Sequence, residues 1–432
     1  MTSTVPVKGK RAWIKRKILG NYWSLASTAV VLAAPAALAM LWLDRAGLTE
    51  WLLDAGLAPV TSAETARDFA GVAAGINGAF LSLYFSITLI VLSLAAGSIS
   101  VRLVDRWLDK QLVRLSVAGL SFSLVVSLVT LLATDGFAPL DETPLGLIVL
   151  TFVLMLVSIA MLSVSLHDLG RTMFVDRSIA SLQRDASSPP VAVVGRAPSD
   201  AGTWHVALES TRGGYIAGID LAKIARCTAG YAGVRVCVAP GQHVLRGETL
   251  ICMSAPYEGE SLADALPIDD FRSDAQGSVF RIRLLVEIAA RALSPGINDF
   301  YTALTCSDAL MVAMEGHRSS WVADGEIACW ADDQRIGLAG QDFASLFNHP
   351  LAAFRQAACD YPTVAIRMIG NLGKLAGTQS ARCADGFTAF LLERARELRD
   401  HALLRIELEA DRAAIAECFA EFESRCKAAA LH

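Results

Sequence analysis

The sequence predicts an integral membrane protein with four transmembrane α-helices, followed by a cytosolic α+β region made of a small barrel-sandwich-like β-domain and a helical bundle. Three observations predict this class. The 432-residue chain is 53% hydrophobic, which is too apolar for an ordinary soluble protein. Four uncharged apolar stretches match the roughly 20 residues that cross a bilayer, and they lie at about 22–43, 70–99, 112–134 and 145–166. Short alternating segments and then long amphipathic segments follow them.

The first apolar stretch follows a basic arm at residues 1–21, an arrangement that would also suit a signal peptide cleaved near "APAALA". The apolar run is longer than the core of a signal peptide, and three more spans follow, so we expect an uncleaved anchor. Lys and Arg are frequent in the arm and in the loop after the second stretch but scarce in the other two loops. The positive-inside rule therefore predicts that both termini lie in the cytoplasm.

The second stretch is expected to form the longest helix. Thr61-x-x-Glu64 resembles a capping box, and the helical pattern then continues to about residue 100. We expect Asn77, Ser82, Ser86 and Ser93 to lie within about a third of the helical circumference. Together with Gly71 and Gly75 they form a candidate pore or packing face. The span has no charged residue at its middle, which argues against a proton relay, a voltage sensor or an ion-coupled pump.

A basic face is expected between the second and third spans. Arg102, Arg106, Lys110 and Arg114 recur every four residues and would stack on one side of a helix. This face suits contact with the anionic headgroups of a lipid bilayer. It would equally serve as a cationic vestibule that attracts anions.

The cytosolic region is expected to comprise a helical extension and linker at 168–211, a small β-barrel at 212–270 and a mainly helical domain at 271–432. "VRVCVAPGQHVLRGETLICM" alternates apolar and polar residues around glycines. The pattern resembles the half-barrel of biotinyl and lipoyl carrier domains. A carrier needs an exposed lysine at a hairpin tip, whereas the nearby Lys223 lies in an inserted helical segment, so we expect a structural barrel.

Two helices are expected to meet at a tight turn in "RALSPGINDFYTAL", residues 291–304. Pro295 and Gly296 end the first helix, and Asn298 or Asp299 can cap the second. The side chains that converge there form a candidate ligand or gating turn: Arg291, Ser294, Pro295, Gly296, Asn298, Asp299 and Thr302. Backbone amides at the start of the new helix could hold an anion or a carboxylate. The alternative is a turn whose polar groups satisfy one another.

The phrase "LVEIAARALSPGINDFYTAL" gives the chain its resemblance to a bacterial membrane protein family, domain of unknown function 2254. The resemblance extends to "FSITLIVLSLAAGSISVRLVDRWLDKQLVRLSVAG", "GGYIAGID", "VAPGQHVLRGETL" and "PTVAIRMIGNLGKLA". It implies an N-terminal membrane region and a cytosolic tail, with no implied chemistry. Phe300 stands where the family has a proline after the aspartate, which puts the geometry of the cap in doubt. Ile99-Ser100-Val101-Arg102 replaces the family's Ser-Pro-Arg.

No catalytic, cofactor-binding or metal-binding motif is found in the sequence. The nine cysteines, Cys227 to Cys426, form no CxxC pair, which suits a reducing cytosol better than a disulfide framework or a zinc site. The net charge of −5 gives no support for a nucleic-acid partner. We therefore expect neither an enzyme nor a cofactor.

Two hypotheses for function remain. The leading one is a homo-oligomeric channel-like or transport protein for a small ion or solute, with a cytosolic assembly or regulatory domain. It rests on the hydroxyl-rich second span and on the large cytosolic region. The alternative is a membrane-anchored sensor or scaffold whose cytosolic domain binds a ligand or a protein partner.

Overall fold

The computed structural model describes residues 22–98, 110–172, 175–197, 203–272, 276–377 and 384–429. The chain divides into two compact units. We call the first, which ends at residue 174, the membrane unit. The second begins at Val175 and is called the C-terminal unit.

The membrane unit contains four helical segments that are long and apolar enough to cross a bilayer: Ser24–Asp54, Ala63–Leu94, Gln111–Ala133 and Leu145–Arg171. Its helices are α1 (Tyr22–Leu43), α2 (Thr49–Asp54), α3 (Ala63–Ser98), α4 (Gln111–Ala133) and α5 (Leu145–Thr172). A π-turn at Asp44–Leu48 joins α1 to α2. The four predicted spans are thus confirmed as apolar helices, although α3 begins seven residues before the predicted stretch.

Helix α4 lies at the centre of the membrane unit. Ala33 and Ala37 of α1 pack with Val126 of α4 and Leu147 of α5 in one apolar cluster. In another, Tyr84 of α3 packs with Leu120 of α4. Because side chains from three neighbouring helices reach α4, the bundle is organised around the third span.

The cap of α3 differs from the predicted one. Ser62 Oγ accepts a hydrogen bond from the Thr65 N–H at 3.2 Å, so the capping residue is Ser62 and the Thr61-x-x-Glu64 box does not form around Thr61. The predicted length of the helix holds, since α3 runs for 36 residues.

The C-terminal unit combines helices and short strands. Its helices are α6 (Val175–Ala186), α7 (Leu221–Cys227), α8 (Ser278–Ala292), α9 (Phe300–Gly316), α10 (Phe343–Ala358), α11 (Pro362–Gly377), α12 (Ala384–Arg405) and α13 (Glu409–Ala429). Its strands are β1 (Val193–Arg196), β2 (His205–Glu209), β3 (Gly214–Ile216), β4 (Val234–Val236), β5 (His243–Val244), β6 (Thr249–Met253), β7 (Ile268–Asp269), β8 (Ile327–Trp330) and β9 (Asp333–Leu338).

The strands form two open sheets. Six strands pair in the order β1-β8-β9-β4-β6-β2, and three pair in the order β5-β3-β7. Neither sheet closes into a barrel, so the expected barrel-sandwich detail is not confirmed. The sequence distance between partners explains the difference, because the β8–β9 hairpin pairs with β4 in parallel from about 100 residues away, through Val234 and Ile336.

One apolar core joins the two sheets of the C-terminal unit. Ile216 of β3 and Val244 of β5 are buried in the same cluster as Val236, Ile251 and Leu338 of the larger sheet. Helix α8 forms a second buried centre, since eleven of its residues, from Ser278 to Ala292, are buried. The expected helical region is thus packed around α8, and its neighbours include α6, α9 and α10.

Candidate functional site

The Ser-Pro-Gly turn, residues 291–302, joins two helices whose ends its own polar groups satisfy. The Asp299 N–H donates to Ala292 O at 2.7 Å, and the Asn298 N–H donates to Ser294 O at 2.9 Å. Ser294 Oγ donates to Arg291 O at 2.7 Å. Asn298 takes a left-handed conformation at φ 51°, which asparagine tolerates better than most residues. Hydrogen bonds among groups of the turn itself therefore stabilise this reversal of the chain.

Asp299 is the cap of helix α9. Its Oδ1 accepts the Thr302 N–H at 3.1 Å, and its Oδ2 accepts the Thr302 hydroxyl at 2.6 Å. Phe300 therefore replaces the family's proline without loss of the cap. The geometry is that of a self-satisfied turn, because the oxygen atoms that would meet a ligand's donors are already bonded within one helical turn.

Tyr361 fastens the turn from outside. Its hydroxyl donates to Leu293 O at 2.6 Å, so the carbonyl group directly after α8 is bonded to the residue directly before α11. Below the turn, Cys306 of α9 is buried. Burial, with a smaller contribution from the charges of Asp176 and Asp299, raises the pKa of the Cys306 thiol far above its usual value. A protonated, buried thiol is a poor nucleophile.

The surface of the turn is apolar. Pro295 and Gly296 are exposed, Ile297 and Phe300 are each 38% exposed, and Tyr301 is 71% exposed. The rings of Phe300 and Tyr301 lie 4.2 Å apart. The turn thus presents a small apolar patch beside the exposed Asn298.

In the membrane unit, the candidate face on α3 is divided between two opposite sides of the helix. Asn77 is fully buried, whereas Ser82, Ser86 and Ser93 are exposed. The expectation that these four share a third of the circumference is wrong, because at 100° per residue Asn77 lies about 140° from Ser82 and about 180° from Ser86. Asn77 faces the bundle and the three serines face away from it.

The two glycines of the face lie about 40° apart on the helix, but they differ in their neighbours. A Cβ at Gly71 would lie 3.8 Å from Leu131 Cδ1 of α4, while a Cβ at Gly75 would meet nothing within 4 Å. Gly71 is half-buried and lies against α4. Gly75, which is exposed, lies on the same side as the three serines.

Buried polar side chains join the helices inside the bundle. Asn77 Nδ2 donates to Ser127 Oγ of α4 at 2.8 Å. Thr130 of α4 bonds Thr151 of α5 at 2.7 Å, and Ser116 bonds Ser165 at the other end of the same helix pair. These pairs connect α4 to α3 and α5. Within one chain, these paired hydroxyl groups thus serve helix packing.

Asp44, which the sequence interpretation missed, holds the start of α5. The carboxylate is buried at 7% exposure and accepts the N–H groups of Gly146 at 2.8 Å and Leu147 at 3.0 Å. The Thr49 hydroxyl donates to it at 3.2 Å. A Cβ at residue 146 would lie 2.5 Å from Asp44 Oδ1, so the glycine permits the contact. A conspicuous signal existed: an acidic residue directly after a 22-residue uncharged helix.

Only half of the predicted basic face can be located. Lys110 Nζ forms an ion pair with Asp168 of α5 at 3.1 Å, and Arg114 is half-buried on α4. Arg102 and Arg106 lie outside the described residues. Lys110 therefore joins two helices at the end of the bundle where the basic loop begins.

The family comparison agrees with this architecture. A family model described as "Predicted membrane protein (DUF2254)" matches residues 20–374. The chain belongs to this family. The DUF2254 match takes in all four apolar helices, both sheets and the Ser-Pro-Gly turn. No curated protein and no solved structure shows significant similarity to the chain. Within the described residues, no group of three or more His, Cys, Asp or Glu side chains is placed to hold a metal ion.

Proposed function

We propose that this DUF2254 protein is an oligomeric channel-like or transport protein of the bacterial inner membrane, with both termini in the cytoplasm. In this proposal, the outward face of α3 meets its counterparts in other copies and lines a path for a small ion or solute. The C-terminal unit then serves assembly and regulation.

One observation carries the proposal, namely the composition of the outward face of α3. Gly75, Ser82, Ser86 and Ser93 are exposed on the same side of an apolar helix. The Ser86 hydroxyl donates to Ser82 O at 2.9 Å, which keeps it compatible with lipid while a lone pair remains open. Small residues allow helices to approach closely, and hydroxyl groups can hydrate a permeating species.

The test combines cross-linking with electrical recording. The native cysteines all follow residue 226, so a Ser86→Cys variant adds the first thiol to the membrane unit. Ser163→Cys on α5 is the matched control, because Ser163 is also exposed and also donates to the carbonyl four residues earlier, at 2.9 Å. We expect oxidation in proteoliposomes to give an additional covalent dimer with Ser86→Cys and none with Ser163→Cys.

The electrical measurement compares substitutions on α3 with a substitution at the control position, Ser163. Discrete currents across planar bilayers are expected from purified protein, and Ser82→Leu/Ser86→Leu should change their amplitude, whereas Ser163→Leu should not. Silence of the wild-type protein across salts, voltages and membrane tension, without a Ser86-specific cross-link, would overturn the proposal.

A membrane-anchored scaffold is the second candidate, and the apolar patch at Ile297, Phe300 and Tyr301 favours it. In this case the patch binds a protein partner, while the spans act as an anchor. Phe300→Ser/Tyr301→Ser should then abolish the partner's recovery with the tagged protein from cross-linked cells and leave the bilayer silent. An unchanged set of recovered proteins would remove this candidate.

A further inference from the structure

The beginning of α8 has the features of an anion site, and it lies in the C-terminal unit away from the Ser-Pro-Gly turn. The helix starts after Gly277, which has φ +67° and offers no side chain to cap the first N–H groups. No acidic residue lies in the first turn. A helix N-terminus without a cap carries unsatisfied donors and a partial positive charge.

Two buried side chains at this helix end also lack partners. Gln276 is 3% exposed and Ser278 is 2% exposed. Neither Gln276 Nε2 nor Ser278 Oγ has a hydrogen-bond partner. A buried polar group without a partner costs on the order of 1–3 kcal/mol, so two of them beside one helix terminus indicate that a bonding partner is missing from the protein itself.

Two arginines supply positive charge at the same place. Arg283 Nη1 donates to Gly241 O at 3.2 Å, and Arg272 lies over the Tyr215 ring, 5.1 Å from its centroid. Burial, and then the nearby charge of Arg272, lowers the pKa of Arg283. Neither arginine forms an ion pair in the part of the chain that the structure describes.

Two carboxylates that precede Arg272 in the chain already have partners. Asp270 binds Arg212 at 2.9 Å, and Asp269 Oδ1 accepts the Asp270 N–H at 2.9 Å. Neither carboxylate forms an ion pair with Arg272 or Arg283 among the described residues, although the charge of Arg272 acts on Arg283. That arrangement is unfavourable unless an anion from outside the chain offsets it.

In the "PGQH" turn, a glycine leaves room for the side chains of Gln276 and Arg283. Gly241 takes φ +78°, and a Cβ there would lie 3.1 Å from Gln276 Oε1 and 3.5 Å from Arg283 Nη1. Beside it, His243 and Tyr215 pair across β5 and β3 with ring centroids 5.0 Å apart. His243 and Arg272 are exposed, so they mark the side from which a ligand would enter.

We propose that Arg272, Arg283, Gln276, Ser278 and the first N–H groups of α8 form a binding site for a phosphate-class oxyanion. The guanidinium groups bind its charge, and the amide, hydroxyl and backbone donors bind its oxygens. A free phosphate and the phosphate headgroup of a lipid share this chemistry, and the experiment has one arm for each.

Binding to the detergent-solubilised full chain is measured by isothermal titration and by the shift in the thermal midpoint. The probes are inorganic phosphate, at constant ionic strength set with NaCl, and phosphatidic acid in the micelle compared with phosphatidylcholine. Arg272→Gln is the main variant, because Arg272 is exposed and its loss leaves the core intact. Arg246→Gln is the matched control, since Arg246 is an exposed arginine on the loop after β5.

We expect one probe to raise the thermal midpoint of the wild type and of Arg246→Gln. Arg272→Gln and Arg283→Gln should weaken its binding at least about tenfold, through loss of a charged hydrogen bond. A response to inorganic phosphate identifies a free anion, and a response to phosphatidic acid alone identifies a lipid headgroup. If neither probe binds, or if Arg272→Gln binds as well as Arg246→Gln, the proposal is wrong. Neither result depends on whether the membrane unit conducts.

Discussion

The membrane unit and the C-terminal unit use polar residues in different ways, and the difference shows where sequence patterns reveal orientation. In the C-terminal unit, α11 buries Val364, Met368, Leu372 and Leu375 along one stripe, so its apolar pattern identifies the inner side. In α3, apolar residues occupy every side. There the inner side is identified by its polar groups, such as Asn77, and only once their partners are known.

The largest effect on stability is expected from removing a buried hydrogen-bond acceptor in the membrane unit. Asp44→Ala leaves the Gly146 and Leu147 N–H groups without their acceptor, and we expect the free energy of unfolding to fall by about 3 kcal/mol. Unfolding by SDS in mixed micelles, followed by tryptophan fluorescence, measures the change. Asp54→Ala is the control, since Asp54 is exposed, and its effect should stay within about 0.5 kcal/mol. Equal losses of unfolding free energy in both variants would contradict the role of Asp44 in holding the start of α5.

The second prediction concerns a buried histidine in the C-terminal unit. His317 is fully buried, and its Nε2 lies 2.8 Å from Ala186 O. A carbonyl only accepts, so Nε2 carries a proton. Burial lowers the pKa of His317 from about 6.5 to about 4. The unfolded chain then binds more protons, so stability is full above about pH 6.5 and is lost as the pH falls toward 4.

The expected loss for His317 is up to about 3 kcal/mol, the free-energy equivalent of the lowered pKa. Unfolding curves at several values between pH 7 and 4 measure it, and His317→Gln should remove that part of the slope. His349→Gln, at an exposed histidine on α10, should keep the wild-type slope. Parallel slopes in all three proteins would refute the assignment.

A matched pair of helix caps tests the Ser-Pro-Gly turn. Asp342 caps α10 as Asp299 caps α9: it accepts the Ser345 N–H at 2.9 Å and the Ser345 hydroxyl at 2.6 Å. Asp299→Ala and Asp342→Ala should each lower the free energy of unfolding by about 1–2 kcal/mol. Thermal unfolding of both variants measures this. A loss of conductance or partner binding with Asp299→Ala, but not with Asp342→Ala, would give the turn a role beyond its cap.

Local signals in the sequence predicted the helices well. Pro295 and Gly296 ended α8, and Asp299 capped α9, as their backbone and side-chain chemistry requires. The four spans followed from length and charge alone. The α3 cap was displaced by one residue, because Thr61 and Ser62 are both competent caps and only the path of the chain decides between them.

Long-range partners could not be predicted from the same signals. The parallel pairing of β4 with β9 joins segments separated by about 100 residues, and no local pattern specifies it. Asp44 follows the first apolar stretch directly, but a charge at a helix end does not specify which backbone N–H groups it meets. The cluster at Arg272, Gln276 and Arg283 was missed for the same reason, since strands and a helix bring its residues together.

The smallest predicted effect on stability compares the two sides of α3. Asn77→Leu removes the hydrogen bond to Ser127 Oγ and should lower the free energy of unfolding by about 1 kcal/mol. Ser86→Leu changes a side chain that is exposed within one chain, so its effect should stay within about 0.5 kcal/mol at protein concentrations too low for association. Unfolding by SDS in mixed micelles measures both. If Ser86→Leu proves the more destabilising variant and the loss grows with protein concentration, the outward face of α3 is an interface between copies, because only association makes stability depend on concentration.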